Sequence, residues 1–288
     1  MSALSKQAEQ ITTVTPRKKR FELNFSETLR YRDLIWLFVT TGFKTRYKQM
    51  LLGPLWAVIQ PLLTTVVFTV VFGNIAGLPT DGAPKFMFYM CGNVLWTYFS
   101  SCLTGAADSF RSNAYLFSKV YFPRLVAPLS NVIGNMINSG IQFVIFLGFL
   151  LYYIFSGGIA PEYAYLWLVP LLVIQATLLA TGIGLVLASV TIKYRDLKML
   201  ITFGVQLWLY ATPIAYSSAL VKEKIPSLYN LYMLNPMASI CEAMRKVFLG
   251  TGNFSVKYLL ISLAISVLFF LLGVAAFNRA EKTFADKI

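Results

Sequence analysis

The sequence predicts an all-α integral membrane protein with six transmembrane helices, and both its composition and its apolar patterning indicate that class. Of 288 residues, 57% are hydrophobic and 13% are charged, whereas a soluble domain carries about 25% charged residues. The mean hydropathy of +0.64 would leave a soluble fold without enough polar surface to cover its core. Six apolar stretches are each long enough to cross about 30 Å of hydrocarbon. They are residues 55–76, 86–107, 126–155, 166–190, 199–216 and 258–277.

The charges that remain predict the orientation of these spans. The chain has 25 lysines and arginines against 12 acidic residues, a net charge of +13. Such an excess is typical either of nucleic-acid binding or of cytoplasmic loops that follow the positive-inside rule. Most of the cations lie before the first span, after the second and fourth spans, and in the C-terminal tail. We therefore expect both termini in the cytoplasm and no nucleic-acid partner.

The residue types also exclude several kinds of chemistry. There is no histidine, so histidine-based catalysis and histidine metal sites are ruled out. Cys91, Cys102 and Cys241 have no metal-ligand spacing, and we interpret them as inert buried thiols. No predicted span has an ionisable residue well inside it, with Asp108 at an edge, which disfavours ion-coupled transport and a membrane enzyme. Because no phosphate-binding loop motif occurs, any ATP-driven motor would be another polypeptide.

The predicted domain organisation has one membrane domain with cytoplasmic flanks. Residues 1–23 are a flexible N-terminus, 24–54 an amphipathic interface helix, 55–277 the six-span domain and 278–288 the tail. The interface helix is predicted to start with Asn24 as its cap and Glu27 three residues later, and to stop at Lys44. Its apolar face carries Leu34, Leu37, Phe38 and Thr41. It lies along the inner leaflet, either as a lipid anchor or as a docking element for a partner.

Polar and small residues follow two of the predicted spans at helical spacing. The third span carries an amide stripe of Asn131, Asn135, Asn138 and Gln142. These amides either bond to neighbouring helices or line a hydrated conduit, because they should not face lipid. The fourth span carries a ridge for close helix packing, consisting of Ala176, Ala180, Gly184 and Ala188.

Aromatic residues next to amides predict a path for sugar. Rings stack on the C–H faces of sugars while amides bind hydroxyl groups. Tyr89, Trp96 and Phe99 share one face of the second span, with Asn93 and Ser100 on the same face. Phe203, Gln206 and Tyr210 share a face of the fifth span. Ordinary helix packing and interfacial anchoring are the alternative explanations of these rings.

The segment between the fifth and sixth spans predicts a re-entrant helical hairpin that dips in from the outer side. Its apolar stretches, residues 228–234 and 238–249, are each too short to cross, and Asn235 and Pro236 divide them. The charges of Arg245 and Lys246 are explained by local pairing with Glu242. The loop between the second and third spans is short and partly apolar, and Tyr121 and Phe122 near its end are typical of interfacial anchors.

Several segments, in order, resemble the permease subunits of ABC exporters for O-antigen, capsular and teichoic-acid polysaccharides. The resemblance covers about residues 24–277, and the combination of segments is more specific than any one of them. The first two are Arg46-Tyr47-Lys48-Gln49 and the following Leu52-Gly53-Pro54-Leu55-Trp56 with Gln60-Pro61. The others are Ser118-Lys119-Val120-Tyr121-Phe122-Pro123-Arg124, Tyr194-Arg195-Asp196-Leu197 and Asn235-Pro236-Met237.

The resemblance implies a homodimer in the bacterial inner (plasma) membrane, with two copies of a separate ABC ATPase docked underneath and ATP and Mg²⁺ bound on that partner. It implies that a lipid-linked polysaccharide moves outward through a channel at the dimer interface. The implied path residues are Tyr89, Trp96, Phe99, Asn135, Asn138, Phe203, Gln206 and Tyr210. The implied ATPase-coupling residues are Arg30, Arg32, Arg111, Lys119, Tyr121, Arg195 and Asp196. Asn235 and Pro236 would belong to an outer gate.

Two other functions remain open at this point. The same architecture would suit an exporter of small amphiphilic drugs or lipids, for which a closed apolar cleft is expected instead of a wide aromatic channel. A membrane-embedded glycosyltransferase would need acidic residues that converge at one membrane face. Asp33, Asp108 and Asp196 are too scattered along the sequence to favour that enzyme.

Overall fold

A computed structural model describes residues 28, 30–48, 50–120, 122–191 and 196–285, and this part of the chain contains helices and turns but no strand. The longer helices are α1 (Arg32–Tyr47), α2 (Trp56–Phe68), α3 (Lys85–Ala107), α6 (Val126–Phe155), α7 (Leu168–Thr191), α8 (Leu197–Tyr210), α11 (Pro236–Leu249) and α12 (Val256–Ala285). The shorter ones are α4 (Ser109–Ser112), α5 (Ala114–Lys119), α9 (Ser218–Lys224) and α10 (Pro226–Met233). A 3₁₀ turn at Gly53–Leu55 precedes α2, and a π-helical segment at Thr69–Ile75 continues it.

Helices occupy all six positions at which the sequence predicts spans. Among the described residues, four helices are long and apolar enough to cross a membrane. They are Gly53–Ile75, Val126–Phe155, Leu168–Thr191 and Val256–Ala280. The prediction of an all-helical membrane protein is therefore confirmed, while the count of six spans stays a prediction.

Helix α3 is the centre of the bundle. It packs against α2, α6, α7, α8 and α11, and most of its side chains are buried. The largest hydrophobic cluster is built around it. Asn93 joins it to α2, since its Nδ2 donates to the carbonyl oxygen of Pro61 over 3.1 Å.

Close contact between α7 and its neighbours depends on glycine. A Cβ on Gly182 would lie 2.5 Å from the backbone nitrogen of Phe270 in α12, and one on Gly184 would lie 2.6 Å from the Cβ of Ala106 in α3. The backbones therefore approach to a distance that no larger residue permits. The alanines of the predicted small-residue ridge are fully buried beside these contacts, which confirms their packing role.

Helix α8 is shorter than the sequence predicts. It ends at Tyr210, and residues 211–216 form a turn that contains Pro213. Proline cannot donate the backbone hydrogen bond that would extend the helix. The hydroxyl of Tyr216 donates to the carbonyl oxygen of Tyr210 over 2.8 Å and closes the turn back on the helix.

Helix α1 extends further than predicted. It runs through Lys44 and Arg46 to Tyr47, because cations in the last turn are favourable at the negative end of the helix dipole. Ile35 and Val39 are its buried residues and pack on the start of α6. Leu37, predicted to lie on the apolar face, is instead 57% exposed. The predicted cap at Asn24 and Glu27 lies outside the described residues.

Two short helices form where the sequence predicts a hairpin. Helices α10 and α11 are separated by Leu234 and Asn235. Helix α11 is buried along almost its whole length against α3, α7 and α12. It ends at Gly250, whose φ of 69° is a left-handed conformation that favours glycine. Whether the hairpin enters the membrane stays a prediction.

Candidate transport path and coupling surface

The outward face of α8 combines aromatic rings with an amide. No residue of this helix is buried. Phe203 is 58% exposed and Tyr210 is 55% exposed, and Gln206 between them is also exposed. These three predicted path residues are therefore available to a substrate or to another protein chain.

The predicted path residues of α3 lie in the protein core instead. Tyr89 and Phe99 are fully buried and Trp96 is 5% exposed. Trp96 and Phe99 pack on Trp208 of α8, with ring centroids 6.3 and 5.1 Å apart. Within one chain these rings lie behind α8 and support it. The least buried side of α3 carries Thr97, Ser101 and Thr104 instead, and two of these residues line the cleft described below.

Trp208, which the sequence analysis did not single out, links α8 to the predicted outer gate. Its Nε1 donates to the Oδ1 of Asn235 over 3.0 Å. The Nδ2 of Asn235 donates to the carbonyl oxygen of Ala211 over 3.0 Å and to the Oγ1 of Thr212 over 3.1 Å. Asn235 Oδ1 also caps α11 by accepting from the backbone nitrogen of Met237. One side chain thus joins the hairpin to the end of α8.

Pro236, the second predicted gate residue, is the first residue of α11 and is buried. Its carbonyl oxygen accepts a hydrogen bond from the Oγ of Ser262 in α12 over 2.9 Å. The same hydroxyl accepts from the amide nitrogen of Gln175 in α7 over 2.5 Å. The start of α11 is therefore held by two of the long helices. Neither contact tests its role as a gate.

The amide stripe of α6 makes helix contacts and also lines a polar cleft. Asn135 Nδ2 donates to the carbonyl oxygen of Ser101 in α3 over 3.0 Å. Asn138 Oδ1 accepts from the hydroxyl of Tyr47 at the end of α1 over 2.9 Å. Asn135 and Asn138 border a cleft of about 420 Å³ between α1, α2, α3 and α6. Hydrogen bonding to neighbouring helices is therefore confirmed for Asn135 and Asn138, while a hydrated conduit stays a prediction.

The predicted coupling residues that the structure describes are exposed. Arg30, Arg32, Arg111, Lys119 and Asp196 all reach the surface. Lys119 lies over the ring of Tyr115, with its Nζ 4.2 Å from the ring centroid. Tyr121 and Arg195 lie outside the described residues. Phe122, interpreted as a membrane anchor, is instead buried in the cluster that joins α1 to α6.

The two segments predicted to meet an ATPase flank a common cleft. Helix α1 forms one wall and residues 112–116 form another, with α6 as the floor, around a volume of about 510 Å³. Beside it, Lys198 at the start of α8 pairs with Asp108 at the end of α3 over 3.0 Å. This ion pair connects the α4–α5 segment to α8, and the sequence analysis assigned no role to Lys198.

A buried ion pair stabilises the hairpin. Arg245 Nη1 and Glu242 Oε1 are 3.4 Å apart, and both side chains are almost fully buried. The guanidinium lies 3.5 Å from the ring centroid of Phe88 and donates from Nη2 to the carbonyl oxygen of Ile214. The predicted pairing of Glu242 with Arg245 is confirmed. Lys246, also predicted to pair with Glu242, pairs with Glu162 of the loop before α7 instead, because Arg245 and two backbone nitrogens already occupy Glu242.

Comparison with known proteins places this architecture in a family. A family model described as the ABC-2 type transporter matches residues 33–249. The chain belongs to the ABC-2 type transporter family. The match begins within α1 and runs through α11, so it includes the hairpin and most of the predicted coupling segments but not Arg30 and Arg32. The predicted resemblance is confirmed.

Curated relatives of this ABC-2 family chain are named as O-antigen export permeases. Two proteins of Klebsiella pneumoniae named O-antigen export system permease protein RfbA are each 29% identical over 254 residues, which cover 88% of this chain and 94% of theirs. A protein of the same name from Myxococcus xanthus is 28% identical over 263 residues, or 91% of this chain and 98% of its own. The similarity therefore extends over nearly the whole length of each relative.

Proposed function

We propose that this chain is the transmembrane subunit of an ATP-driven exporter that moves a lipid-linked polysaccharide outward across the plasma membrane. The observation that carries the proposal is its near full-length similarity to three O-antigen export permeases. The exposed face of α8 supports it, because rings and an amide at one surface suit a sugar chain that slides over weak contacts.

The path is proposed to lie between two copies of the chain, each with six spans and cytoplasmic termini. The outward face of α8 offers an apolar surface to such a partner, since Phe203 is 58% exposed and Leu207 is 53% exposed. In the proposed dimer a second copy covers this face. Helix α2 is also mostly exposed within one chain, and Leu63 and Val67 on it stay in contact with lipid.

The proposed motor is a pair of ABC ATPase subunits on the cytoplasmic side, with no catalytic role for this chain. ATP-driven closure of that pair would push on α1 and on the α4–α5 segment. The Asp108–Lys198 ion pair gives that movement a connection to α8. The bonds of Asn235 connect the far end of α8 to the hairpin, so both ends of the path would respond together.

A reconstituted export assay tests the proposal. The chain is placed in liposomes with its cognate ABC ATPase, and ATP-dependent movement of lipid-linked polysaccharide to the far side is measured. We expect transport that requires both proteins and ATP. ATP-driven movement of small amphiphiles without polysaccharide would favour the drug or lipid exporter. Sugar transfer by the purified chain alone would overturn the transporter assignment.

Cross-linking tests the dimeric path separately. Cys91, Cys102 and Cys241 are buried, so they contribute little background. We expect Phe203→Cys on α8 to cross-link two chains in membranes, and Val144→Cys, which is 66% exposed on α6, not to do so. Cross-linking through Val144→Cys but not through Phe203→Cys would mean that α8 does not lie at the dimer interface.

A further inference from the structure

The cleft of about 420 Å³ bordered by Asn135 and Asn138 is lined mainly by polar side chains. It is enclosed by the end of α1, the start of α2 and the facing sides of α3 and α6. Its polar lining includes Arg46, Gln60, Ser101, Asn138 and Gln142. We call this volume the amide cleft. Polar side chains within apolar helices either bond between helices or serve a substrate or ion path.

One buried atom in the amide cleft lacks a hydrogen-bond partner. Gln142 is 7% exposed, and its Oε1 has no donor within the described part of the chain. A buried acceptor without a donor is unfavourable by about 1–3 kcal/mol, and such atoms are rare in native proteins. A hydroxyl-bearing ligand in the cleft would supply the missing donor.

A cation lies at the opening of the same cleft. Arg46 is the one charged residue among those that line it. None of the ion pairs seen between described residues includes Arg46. A guanidinium matches phosphate oxygens through paired hydrogen bonds. With no carboxylate on the lining, the electrostatic preference of the cleft is for an anion.

An aromatic ring completes the lining. Trp56, the first residue of α2, borders the cleft and is 44% exposed. An exposed indole next to amides provides a stacking surface for the C–H face of a sugar. The Tyr47–Asn138 hydrogen bond fixes the end of α1 against α6, which holds Arg46 at the opening.

We propose that the amide cleft binds the phosphate-linked sugar that joins a polysaccharide to its lipid carrier. Arg46 binds the phosphate, Gln142 Oε1 accepts a hydrogen bond from a sugar hydroxyl, and Trp56 stacks on the ring. The lipid tail leaves along the exposed apolar surface of α2, where Leu63 and Val67 lie. This assignment rests on the proposed export function and gives it a recognition site separate from the α8 face.

A binding experiment on the full chain in lipid nanodiscs tests the assignment. The probe is a synthetic prenyl-phosphate-linked glucose, with prenyl phosphate and glucose 1-phosphate as comparisons, and bound molecules are counted by native mass spectrometry over a concentration series. We expect the prenyl-linked sugar to bind more tightly than either comparison. Equal binding of glucose 1-phosphate would mean a soluble ligand and overturn the lipid-linked assignment. Equal binding of prenyl phosphate would overturn the role of the sugar.

Two variants assign the contacts. Arg46→Gln should weaken binding of the prenyl-linked sugar about tenfold or more, as expected for loss of a charge-assisted bond. The matched control is Lys44→Gln, an exposed cation on the same helix that is not part of the cleft lining. Equal affinities of these two variants would overturn the role of Arg46. Since Arg46 is itself exposed, its replacement should leave the fold intact.

Gln142→Leu should weaken the prenyl-linked sugar about fivefold and leave prenyl phosphate unchanged. Because Oε1 has no partner to lose, the thermal unfolding midpoint should stay the same or rise. A lower midpoint with unchanged affinity would mean a structural role and overturn the contact. If the wild-type chain binds the prenyl-linked sugar but does not export polysaccharide, that result counts against the proposed function alone. If it exports polysaccharide and the cleft variants still bind the prenyl-linked sugar normally, that result counts against the cleft alone.

Discussion

Asn235 uses both polar atoms of its side chain, and each bond joins a different part of the structure. Its Oδ1 accepts from Trp208 in the last turn of α8 and from the start of α11, and its Nδ2 donates to Ala211 and Thr212 just after α8. Three of its partners, Trp208, Ala211 and Thr212, lie more than twenty positions before it in the sequence. At the scale of a single residue, it is the strongest link between the α8 face and the hairpin.

Replacement of Asn235 separates these two sets of bonds. Asn235→Ala removes the helix cap and the bonds to α8, and should lower the free energy of unfolding by about 2 kcal/mol. Asn235→Asp keeps the acceptor for Trp208 and Met237 but loses both donor bonds. We expect it to unfold between the wild type and Asn235→Ala in thermal melts followed by circular dichroism. Export should fall in both variants, and equal stability of all three proteins would contradict the linking role.

Arg245 gives a second prediction at this scale. Arg245→Met leaves the Glu242 carboxylate buried without its cation, and loss of one member of a buried ion pair is unfavourable by about 3–5 kcal/mol. Lys246→Met at the next position is the matched control. Its ion pair with Glu162 is partly exposed, and we expect a change below about 1 kcal/mol. The measurement is the thermal unfolding midpoint in detergent, and similar midpoints for the two variants would contradict the proposed importance of burial.

Contact between whole helices depends most strongly on the approach of α7 to α12. Gly182 and Gly273 face each other, and a Cβ on Gly273 would lie 2.2 Å from the carbonyl oxygen of Gly182. Backbone atoms cannot move aside as a flexible side chain can. The two helices therefore act as one unit, which also holds the start of α11 through Ser262.

A methyl group at this contact should separate the helices. Gly182→Ala would place its Cβ within 2.6 Å of the α12 backbone, and we expect destabilisation of about 3 kcal/mol or more. Gly140→Ala on α6 is the control, because nothing lies within 4 Å of the new methyl group. Alanine should be neutral or slightly stabilising there, since it favours the helix over glycine. Unfolding midpoints of both variants in detergent check the difference, and a stable Gly182→Ala protein would contradict the close approach.

The elements themselves were largely predictable from the sequence, and their partners were not. Residues 126–155 were predicted as a span and form α6, since apolar length sets such boundaries. Tyr89, Trp96 and Phe99 were assigned to a path face, whereas the least buried side of α3 is the polar one with Thr97, Ser101 and Thr104. The sequence does not show which side of a helix its partners cover. Trp208 escaped notice because an isolated tryptophan in an apolar helix has no distinctive spacing. The sequence indicated only part of the amide cleft, namely the stripe on α6. Arg46 and Trp56 come close to that stripe only in the folded chain.

At the scale of the whole molecule, the coupling surface and the hairpin lie at opposite ends of the chain's long helices. The proposed ATPase reaches Arg111 and Lys119 at one end, and its effect is required at Asn235 at the other. The connection through Asp108, Lys198 and α8 needs no large rearrangement of the core around α3.

Charge reversal tests the coupling surface. Arg111→Glu and Lys119→Glu should weaken binding of the ABC ATPase and lower polysaccharide-stimulated ATP hydrolysis, because both side chains are exposed and neither pairs with an acid in the described structure. Insertion into the membrane should be unchanged. Lys222→Glu, an exposed cation of α9 in the predicted outer segment, is the control. Co-purification and ATPase assays provide the measurement. Normal coupling in the first two variants would mean that the α4–α5 segment is not part of the surface that binds the ATPase.

The burial of α3 has a consequence for how the protein is made. Its 23 residues include Asn93, Ser100, Ser101 and Thr104, so lipid alone should hold α3 less firmly than the more apolar helices. Its neighbours α7 and α11 are synthesised only after α3. We therefore expect the insertion machinery to release α3 together with these later helices. A chain truncated before α7 should be degraded instead of inserted, and pulse-chase labelling of such a chain in membranes checks this.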